Sequence, residues 1–302
     1  MTAGTGDRAP AQASNPHPEW RADGVAVVVL NFNGADDTLN CLESLAALES
    51  APGAIQVIDN ASEDDSAARI RQAFPQASVS LNASNLGFGG GLNPILETLL
   101  ERGHNWIWLL NNDTRVEPGT LEALLAQARA RPDAGAIGAC IVDMDPPHAL
   151  QTWGGGRIGM WRGHSRHFTT PVSDARLDYL TGASMLLRAA ALRETGLFDP
   201  RYFLYWEDVD LCLRLRAADW RLTVASDAVV RHRLSGSTGA TSPRKDELIN
   251  ASAVRFFRKH GPLGGWPAIV IGILGRIARR LLHGDLEAAR AVWRGAISGF
   301  RK

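Results

Sequence analysis

The sequence predicts an α/β fold, a mostly parallel sheet flanked by helices, followed by a C-terminal helical tail. Three observations carry this. Short apolar runs alternate with helix-period segments as far as residue 143, the pattern of parallel strands joined by crossover helices. The runs are apolar at consecutive positions, as strands buried on both faces must be. Four of them stop in Asn, Asp or Gly, which gathers polar groups along one edge of the sheet, where open α/β sheets bind ligands.

Residues 1–22 are rich in Ala, Pro, Ser and Gly with no apolar signal-peptide segment, so they read as a disordered leader. Residues 25–30 form the first strand, ending at Asn31-Phe32-Asn33-Gly34. Leu39, Leu42, Leu45 and Leu48 then recur at helical spacing, and Asp36 or Asp37 can cap that helix. Residues 55–58 are a second strand, ending at Asp59-Asn60-Ala61-Ser62 before a helix over 66–73. Residues 79–81 are a third, leading through Asn85-Leu86-Gly87 and a glycine run into a helix that ends near Arg102. The fourth, 106–110, is wholly apolar and halts at Asn111-Asn112-Asp113. Pro118 sits in the first turn of a helix over 120–130, and 135–142 is again a strand.

The second half is less regular. Residues 151–166 read as a loop or hairpin, 179–187 carry Thr181-Gly182-Ala183-Ser184 before an apolar run, and 196–205 are an aromatic-rich loop. Helix propensity and a possible cap at Asp208 favour a helix over 207–217; a strand follows at 220–225, and 228–231 is a second strand or its extension, ending at His232. Residues 23–260 therefore form one domain with halves 23–143 and 144–260. The tail, 261–302, holds seven Lys/Arg against two Asp/Glu, a net of +5. At about 100° per residue, Ile269, Val270, Ile271, Ile273, Leu274, Ile277, Leu281 and Leu282 fill one broad face. Arg276, Arg279, Arg280 and His283 gather opposite. Such a basic amphipathic helix packs on the domain, lies on an anionic membrane surface, or does both.

Over 302 residues, Lys+Arg and Asp+Glu balance at 32 each, so bulk charge points to no nucleic-acid partner. Cys41, Cys140 and Cys212 include no C-x-x-C pair, which indicates reduced thiols, a cytoplasmic location and no thiolate zinc site. No apolar run approaches the ~18 residues of a spanning helix. Gly87-Phe88-Gly89-Gly90-Gly91-Leu92 starts as G-x-G but has Leu at its sixth position and follows the third strand, so the dinucleotide fingerprint fails. P-loop and G-x-S-x-G motifs are absent. Asn111 and Asp113, two apart, point the same way in an extended segment, and a carboxylate beside an amide suits a hard cation that also touches phosphate. An Asn/Asp turn explains the same residues. Trp153, Trp161, Tyr202, Phe203, Tyr205 and Trp206 suit either an acceptor groove or a core.

Taken in order, V-V-V-L-N-F-N-G, V-I-D-N-A-S, N-L-G-F-G-G-G-L-N, L-L-N-N-D, T-G-A-S-M-L-L-R, F-L-Y-W-E-D-V-D-L-C-L-R and V-V-R-H resemble the inverting family 2 glycosyltransferases, in particular the branch with bacterial rhamnosyltransferases. The resemblance spans residues 25–260. It implies a GT-A fold, a nucleotide-diphosphate sugar donor (dTDP- or UDP-linked, with dTDP-rhamnose suggested by the branch) and Mg²⁺ or Mn²⁺. It implies that Asp59 accepts a hydrogen bond from the pyrimidine, that Asn31 and Asn33 wrap the base, and that Asn85 and Gly87 lie under the nucleotide. Asn111-Asn112-Asp113 matches the D-x-D motif with Asn in first place. Asp113 would then bind the metal, His232 would complete its site, and Asn111 and Asn112 would face the nucleotide. Asp208 matches the catalytic base, its pKa raised by like-charge repulsion from Glu207; read without the resemblance, Glu207-Asp208 is a helix cap. Gly182, Ala183, Ser184, Trp206 and Glu207 would meet the acceptor and sugar.

The expected enzyme is metal-dependent and inverting, acts on a polyprenyl-linked or glycan acceptor in surface-polysaccharide assembly, and sits on the inner face of the cell membrane. A homodimer remains open. A binding protein without turnover on the same scaffold, or a nucleotidyltransferase, are the competing readings.

Overall fold

The structure, a computed structural model, describes residues 20–233 and 242–301. Residues 1–19, most of the expected leader, lie outside the described residues. Trp20 packs its ring 6.2 Å from that of Trp106.

The first half alternates as the sequence predicts. It runs β1 (Val25–Asn31), α1 (Ala35–Ala46), β2 (Ala54–Asp59), α2 (Ser66–Ala73), β3 (Ser78–Leu81), α3 (Gly87–Glu101), β4 (Trp106–Asn111), β5 (Thr114–Val116), α4 (Thr120–Ala130) and β6 (Ala134–Asp143). The glycine run is the first turn of α3, where side-chain-free backbone lets the helix start close against its neighbours. The second half holds β7 (Leu150–Trp153), β8 (Gly155–Gly159), β9 (His164–His167), β10 (Tyr179–Leu180), β11 (Ser184–Arg188), α5 (Ala189–Thr195), α6 (Glu207–Ala217) and β12 (Arg221–His232). The chain ends in α7 (Pro243–His260), α8 (Trp266–Leu282) and α9 (Leu286–Phe300).

The main sheet runs β3-β2-β1-β4-β11-β6-β12-β5, with β7 on β6. Its first four strands are parallel, and β11 lies antiparallel between β4 and β6. The sequence showed a short apolar run after Ser184 but not its direction, because such a run carries no polarity of pairing. Side-chain alternation splits the core. Val25, Val27 and Val29 face a layer with Leu42, Leu45 and Leu124, while Ala26 and Val28 face Leu92, Leu96 and Leu211. Strand β12 is continuous from Arg221 to His232 with a register shift between Ala225 and Val229, so 228–231 is the extension of 220–225 and not a second strand. A small sheet, β10-β8-β9, stands beside the main one.

The tail is two helices, and its predicted faces need correction. Ile269 and Ile273 turn inward, whereas Val270, Ile271, Leu274, Leu281 and Leu282 are exposed. Arg276 does not face solvent: its Nη1 donates to Gly163 O at 2.8 Å and its Nε to Asn250 Oδ1, and burial lowers its pKa to about 10. Arg280 pairs with Asp246 at 2.9 Å. Gly272 makes this docking possible, since a Cβ there would lie 2.7 Å from Gly163 O.

Candidate active site

The carboxyl ends of β1, β2 and β4 meet at the edge where strand order reverses, with Asn31 registered on Asp59 and Leu30 on Asn111. Asp59 is buried there. Its Oδ2 accepts from Asn31 Nδ2 and from the Ser62 hydroxyl, both at 2.7 Å, and its Oδ1 accepts from the Ser62 N–H at 2.9 Å. Asn31 is fully buried, and its Oδ1 accepts from the Thr38 hydroxyl at 2.8 Å. Its amide is therefore spent on holding Asp59. Asn33 is exposed in a left-handed conformation (φ 50°), and its Oδ1 accepts the Glu63 N–H at 2.8 Å.

Asn60, which the sequence reading did not single out, is the hub of the next loop. Its Nδ2 donates to Asn85 Oδ1 and Gly87 O, both at 2.9 Å, and its Oδ1 accepts from Asn82 Nδ2 at 2.9 Å. The only signal was an amide immediately after Asp59, one step past a buried strand. Gly87 answers a close approach: the Phe88 N–H donates to Phe203 O at 2.8 Å, and a Cβ on Gly87 (φ 76°) would lie 1.8 Å from that oxygen. That hydrogen bond ties the first half to the second.

The Asn-Asn-Asp turn divides its residues. Asn111 lines a central open cavity of about 1010 Å³. Asn112 turns away, its Nδ2 towards Thr38 Oγ1 at 3.2 Å, so it supports α1 and not the cavity. Asp113 meets His232, whose Nε2 lies 3.3 Å from Asp113 Oδ1. That oxygen is buried and accepts no hydrogen bond among the described residues. Gln151 Nε2 donates to Asp143 Oδ1 and to His232 O, both at 2.8 Å, which leaves Gln151 Oε1 to accept from His232 Nδ1 at 3.0 Å. This assigns the proton to Nδ1 and turns the Nε2 lone pair towards the orphaned carboxylate oxygen. Two lone pairs converging this way fit a cation between them. No third His, Cys, Asp or Glu among the described residues completes a metal cluster, so phosphate and water would supply the other ligands, as is usual for Mg²⁺.

The same cavity is lined by Gly182, Ala183, Asp208, Tyr205 and His167. Asp208 opens α6, and its Oδ2 accepts the Gly182 N–H at 2.9 Å while its Oδ1 accepts the Val209 N–H at 2.8 Å. Burial raises the pKa of Asp208, and these two N–H groups oppose that rise. The expected like-charge effect falls on the neighbour instead: Glu207 is 5% exposed, its Oε2 has no partner among the described residues, and burial, then the Asp208 charge, push its carboxyl well up. Burial thus weighs against the charged form of Glu207 more heavily than against that of Asp208, which is the one solvated by backbone N–H groups. Tyr205 and Trp206 enter this helix through consecutive left-handed residues (φ 70° each), a conformation that costs about 1–3 kcal/mol per residue and is found at functional sites.

Trp206 reaches the cavity but is 7% exposed, and its ring packs 4.7 Å from Phe256 and 5.1 Å from Phe257. That packing anchors the strained turn. Ser184 is fully buried in β11, where its hydroxyl accepts from Trp108 Nε1 at 3.0 Å. Tyr202 is core, and Trp161 is exposed on the small sheet. The sequence reading missed His167. Its Nδ1 lies 3.4 Å from the Tyr179 hydroxyl; desolvation lowers its pKa and the charge of Asp208 partly offsets this. A lone histidine in a Gly/Trp-rich stretch gave no signal, because only the fold of β9 brings it to Asp208.

A family model described as "Glycosyltransferase like family 2" matches residues 22–250. An N-acetylglucosaminyl-diphospho-decaprenol L-rhamnosyltransferase of Mycobacterium tuberculosis is 30% identical over 240 residues, 72% of this chain and 78% of that protein. A mannosyltransferase of Pyrobaculum calidifontis, solved with GDP-Man and Mn²⁺, superposes with a TM-score of 0.59 at 16% identity, over 96% of this chain and 84% of that one. GalNAc-T7, solved with UDP, GalNAc and Mn²⁺, superposes with a TM-score of 0.62 at 14% identity, over 78% of this chain and 47% of that one.

Proposed function

Because this chain belongs to the family 2 glycosyltransferases and has their GT-A fold, we propose that it is an inverting enzyme moving a sugar, rhamnose from dTDP-rhamnose in the first instance, onto a lipid-linked N-acetylglucosaminyl or related glycan acceptor of bacterial surface polysaccharide. The observation that carries the reading is the cavity shared by Asp208, Gly182, Asn111 and His232. It sets the backbone-solvated carboxylate of Asp208 on one wall with His232, whose Nε2 meets Asp113 just behind, beside a nucleotide crevice.

Asp208 takes the proton of the acceptor hydroxyl as that oxygen attacks the anomeric carbon. One C–O bond forms, the bond to the nucleoside diphosphate breaks, and a single displacement inverts the centre. The N–H groups of Gly182 and Val209 keep the carboxylate aimed and favour its charged form against the cost of burial. Asp59 accepts the ring N–H of thymine or uracil, and Asn31 and Ser62 hold it for that role. Asp113 and His232 would hold Mg²⁺ or Mn²⁺, which neutralises charge building on the departing diphosphate. The M. tuberculosis relative supports the acceptor class, and the Mn²⁺-bound structures of the same fold support the cation.

The tail supports a membrane-peripheral site of action. Trp266, Val270 and Leu274 project at i, i+4 and i+8, Trp266 stacks 5.4 Å from Phe300, and Ile277 and Leu281 share a groove with Trp293, Arg290 and Arg294. Exposed apolar residues flanked by arginines suit an anionic lipid surface. Among the described residues no helix is long and apolar enough to cross a membrane. Vesicle co-sedimentation tests this: Trp266→Ser with Trp293→Ser should lose binding to anionic vesicles, and unchanged binding would overturn it.

Asp208→Asn tests the chemistry. It should fold, bind nucleotide as wild type does, and lose transfer by roughly 10²–10⁴-fold. Turnover within a few-fold of wild type would remove Asp208 as the base.

A further inference from the structure

The hairpin β8–β9 and its turn carry Arg157, Arg162, Arg166, His164 and His167 with no Asp or Glu from Gly155 to Thr170. Arg157 lies directly opposite Arg166 across the two strands, a like-charge pairing that destabilises a hairpin unless something anionic offsets it. Among the described residues nothing does: the side chains of Arg157, Arg162 and Arg166 make no hydrogen bond or ion pair there, nor does that of Arg279 on α8. Other arginines on this chain do find carboxylates, as Arg131, Arg201, Arg214 and Arg216 show.

The unpaired cations are placed with purpose. Arg162, Arg166 and Arg279 line the same cavity as Asp208, and Arg157, Arg162 and Arg166 line an adjoining open cavity of about 790 Å³ that has no carboxylate on its wall. The turn between the strands is fixed: Arg276 holds Gly163 O, and a Cβ on Gly163 (φ 68°) would lie 2.0 Å from Ala268 O. The hairpin is therefore docked on α8, whose other side exposes Trp266, Val270 and Leu274. A basic patch thus stands between the catalytic carboxylate and an outward apolar face.

We propose that Arg162 and Arg166 of the hairpin, with Arg279 of α8, bind the diphosphate of a polyprenyl-diphosphate-linked acceptor, so that its sugar reaches Asp208 while its chain runs towards the exposed side of α8. This rests on the transferase reading above and adds the acceptor's charged subsite to it. Guanidinium groups suit the task, since their planar donors match phosphate oxygens in pairs. The donor's diphosphate has its own place beside Asp113 and His232, so the hairpin cations answer a second anion.

The test uses the full chain and two acceptors bearing the same sugar, a short-chain prenyl diphosphate ester and an alkyl glycoside without phosphate, both soluble without vesicles. In Arg162→Gln/Arg166→Gln, the KM for the diphosphate acceptor should rise at least tenfold. The KM for the alkyl glycoside and the thermal shift with nucleotide should stay within twofold, and Arg→Lys at both positions should recover part of the loss. Calorimetry with the short-chain prenyl diphosphate alone should show binding to wild type that the Gln pair loses, a readout that stands even if the transferase reading fails. An equal loss on both acceptors, or an unchanged KM for the diphosphate acceptor, overturns the proposal while leaving the transferase reading intact. Loss confined to anionic-vesicle binding also overturns it, and assigns the arginines to lipid headgroups.

Discussion

The donor-side loops and the acceptor side of the cavity are built from different chemistry. On the donor side, Asn31, Asn60, Asn82, Asn85, Ser62 and Thr38 bond to one another and to Asp59, so nearly every polar group is already paired with a neutral partner. On the acceptor side charge dominates. On α6, buried Asp210 is surrounded by Arg214 (2.8 Å), Lys259 (2.7 Å) and His260 (2.7 Å), while the carboxyl of Glu207 and the hairpin arginines have no partner among the described residues. In the proposed reading, the difference means that the nucleotide crevice is preorganised by the fold itself, whereas acceptor capture is left to open charges. Sensitivity to pH and salt should therefore reside in the second half.

The largest expected effect tests the charged scaffold. Burial alone would push the Asp210 carboxyl up, but hydrogen bonds from His260, Lys259 and Arg214 bring it down to about 2 from its ordinary 3.8. A lowered acid contributes stability that is present above its unfolded pKa and lost as pH falls through the folded one. Asp210→Asn should then cost about 3–5 kcal/mol at pH 7, read as a lower denaturation midpoint, and that cost should shrink as pH falls from about 4 towards 2. A cost independent of pH would show that Asp210 acts by shape and not by charge.

A smaller effect tests the neutral network. Asn60→Ala strands the Asn82 amide and the Gly87 carbonyl, for about 1–3 kcal/mol. It should weaken nucleotide binding while leaving the KM for acceptor unchanged. Equal damage to both would mean that the two sides are not separately built.

The smallest effect concerns Glu207. Because burial and the Asp208 charge push its carboxyl well up, Glu207→Gln should leave the acid limb of the kcat/KM profile in place and keep or slightly raise Tm at pH 7. The sign follows from its raised pKa: a buried acid of that kind loses stability as pH rises through the folded value, and the amide removes that loss. A limb that moved to lower pH would show instead that Glu207 is charged and repels Asp208.

The parallel half was legible because consecutive apolar residues and strand-end Asn/Asp clusters are local signals, and the same signals marked Asp59 and Asp113; Asp208, at the start of a helix, was marked only by the family resemblance, since its residue type there also suits a cap. Asn112 and Ser184 carry the same residue types as their neighbours, so sequence alone could not tell that one turns under α1 and the other into the sheet. The antiparallel β11, the approach of His167 to Asp208 and the inward turn of Arg276 depend on contacts between distant segments. Periodicity set Arg276 opposite the apolar face; it could not say that the side carrying Arg276 docks on the domain while much of the apolar face stays exposed.

The measurement that bears most directly on the whole account is a thermal-shift panel of dTDP, UDP, GDP and CMP, each with Mn²⁺, Mg²⁺ or EDTA, on wild type and Asp113→Ala. Binding to the folded state raises Tm by mass action. The account predicts a rise with dTDP or UDP that needs the divalent cation and is lost in Asp113→Ala. No shift with any nucleotide would contradict it, and with it the roles assigned to Asp59, Asp113 and Asp208.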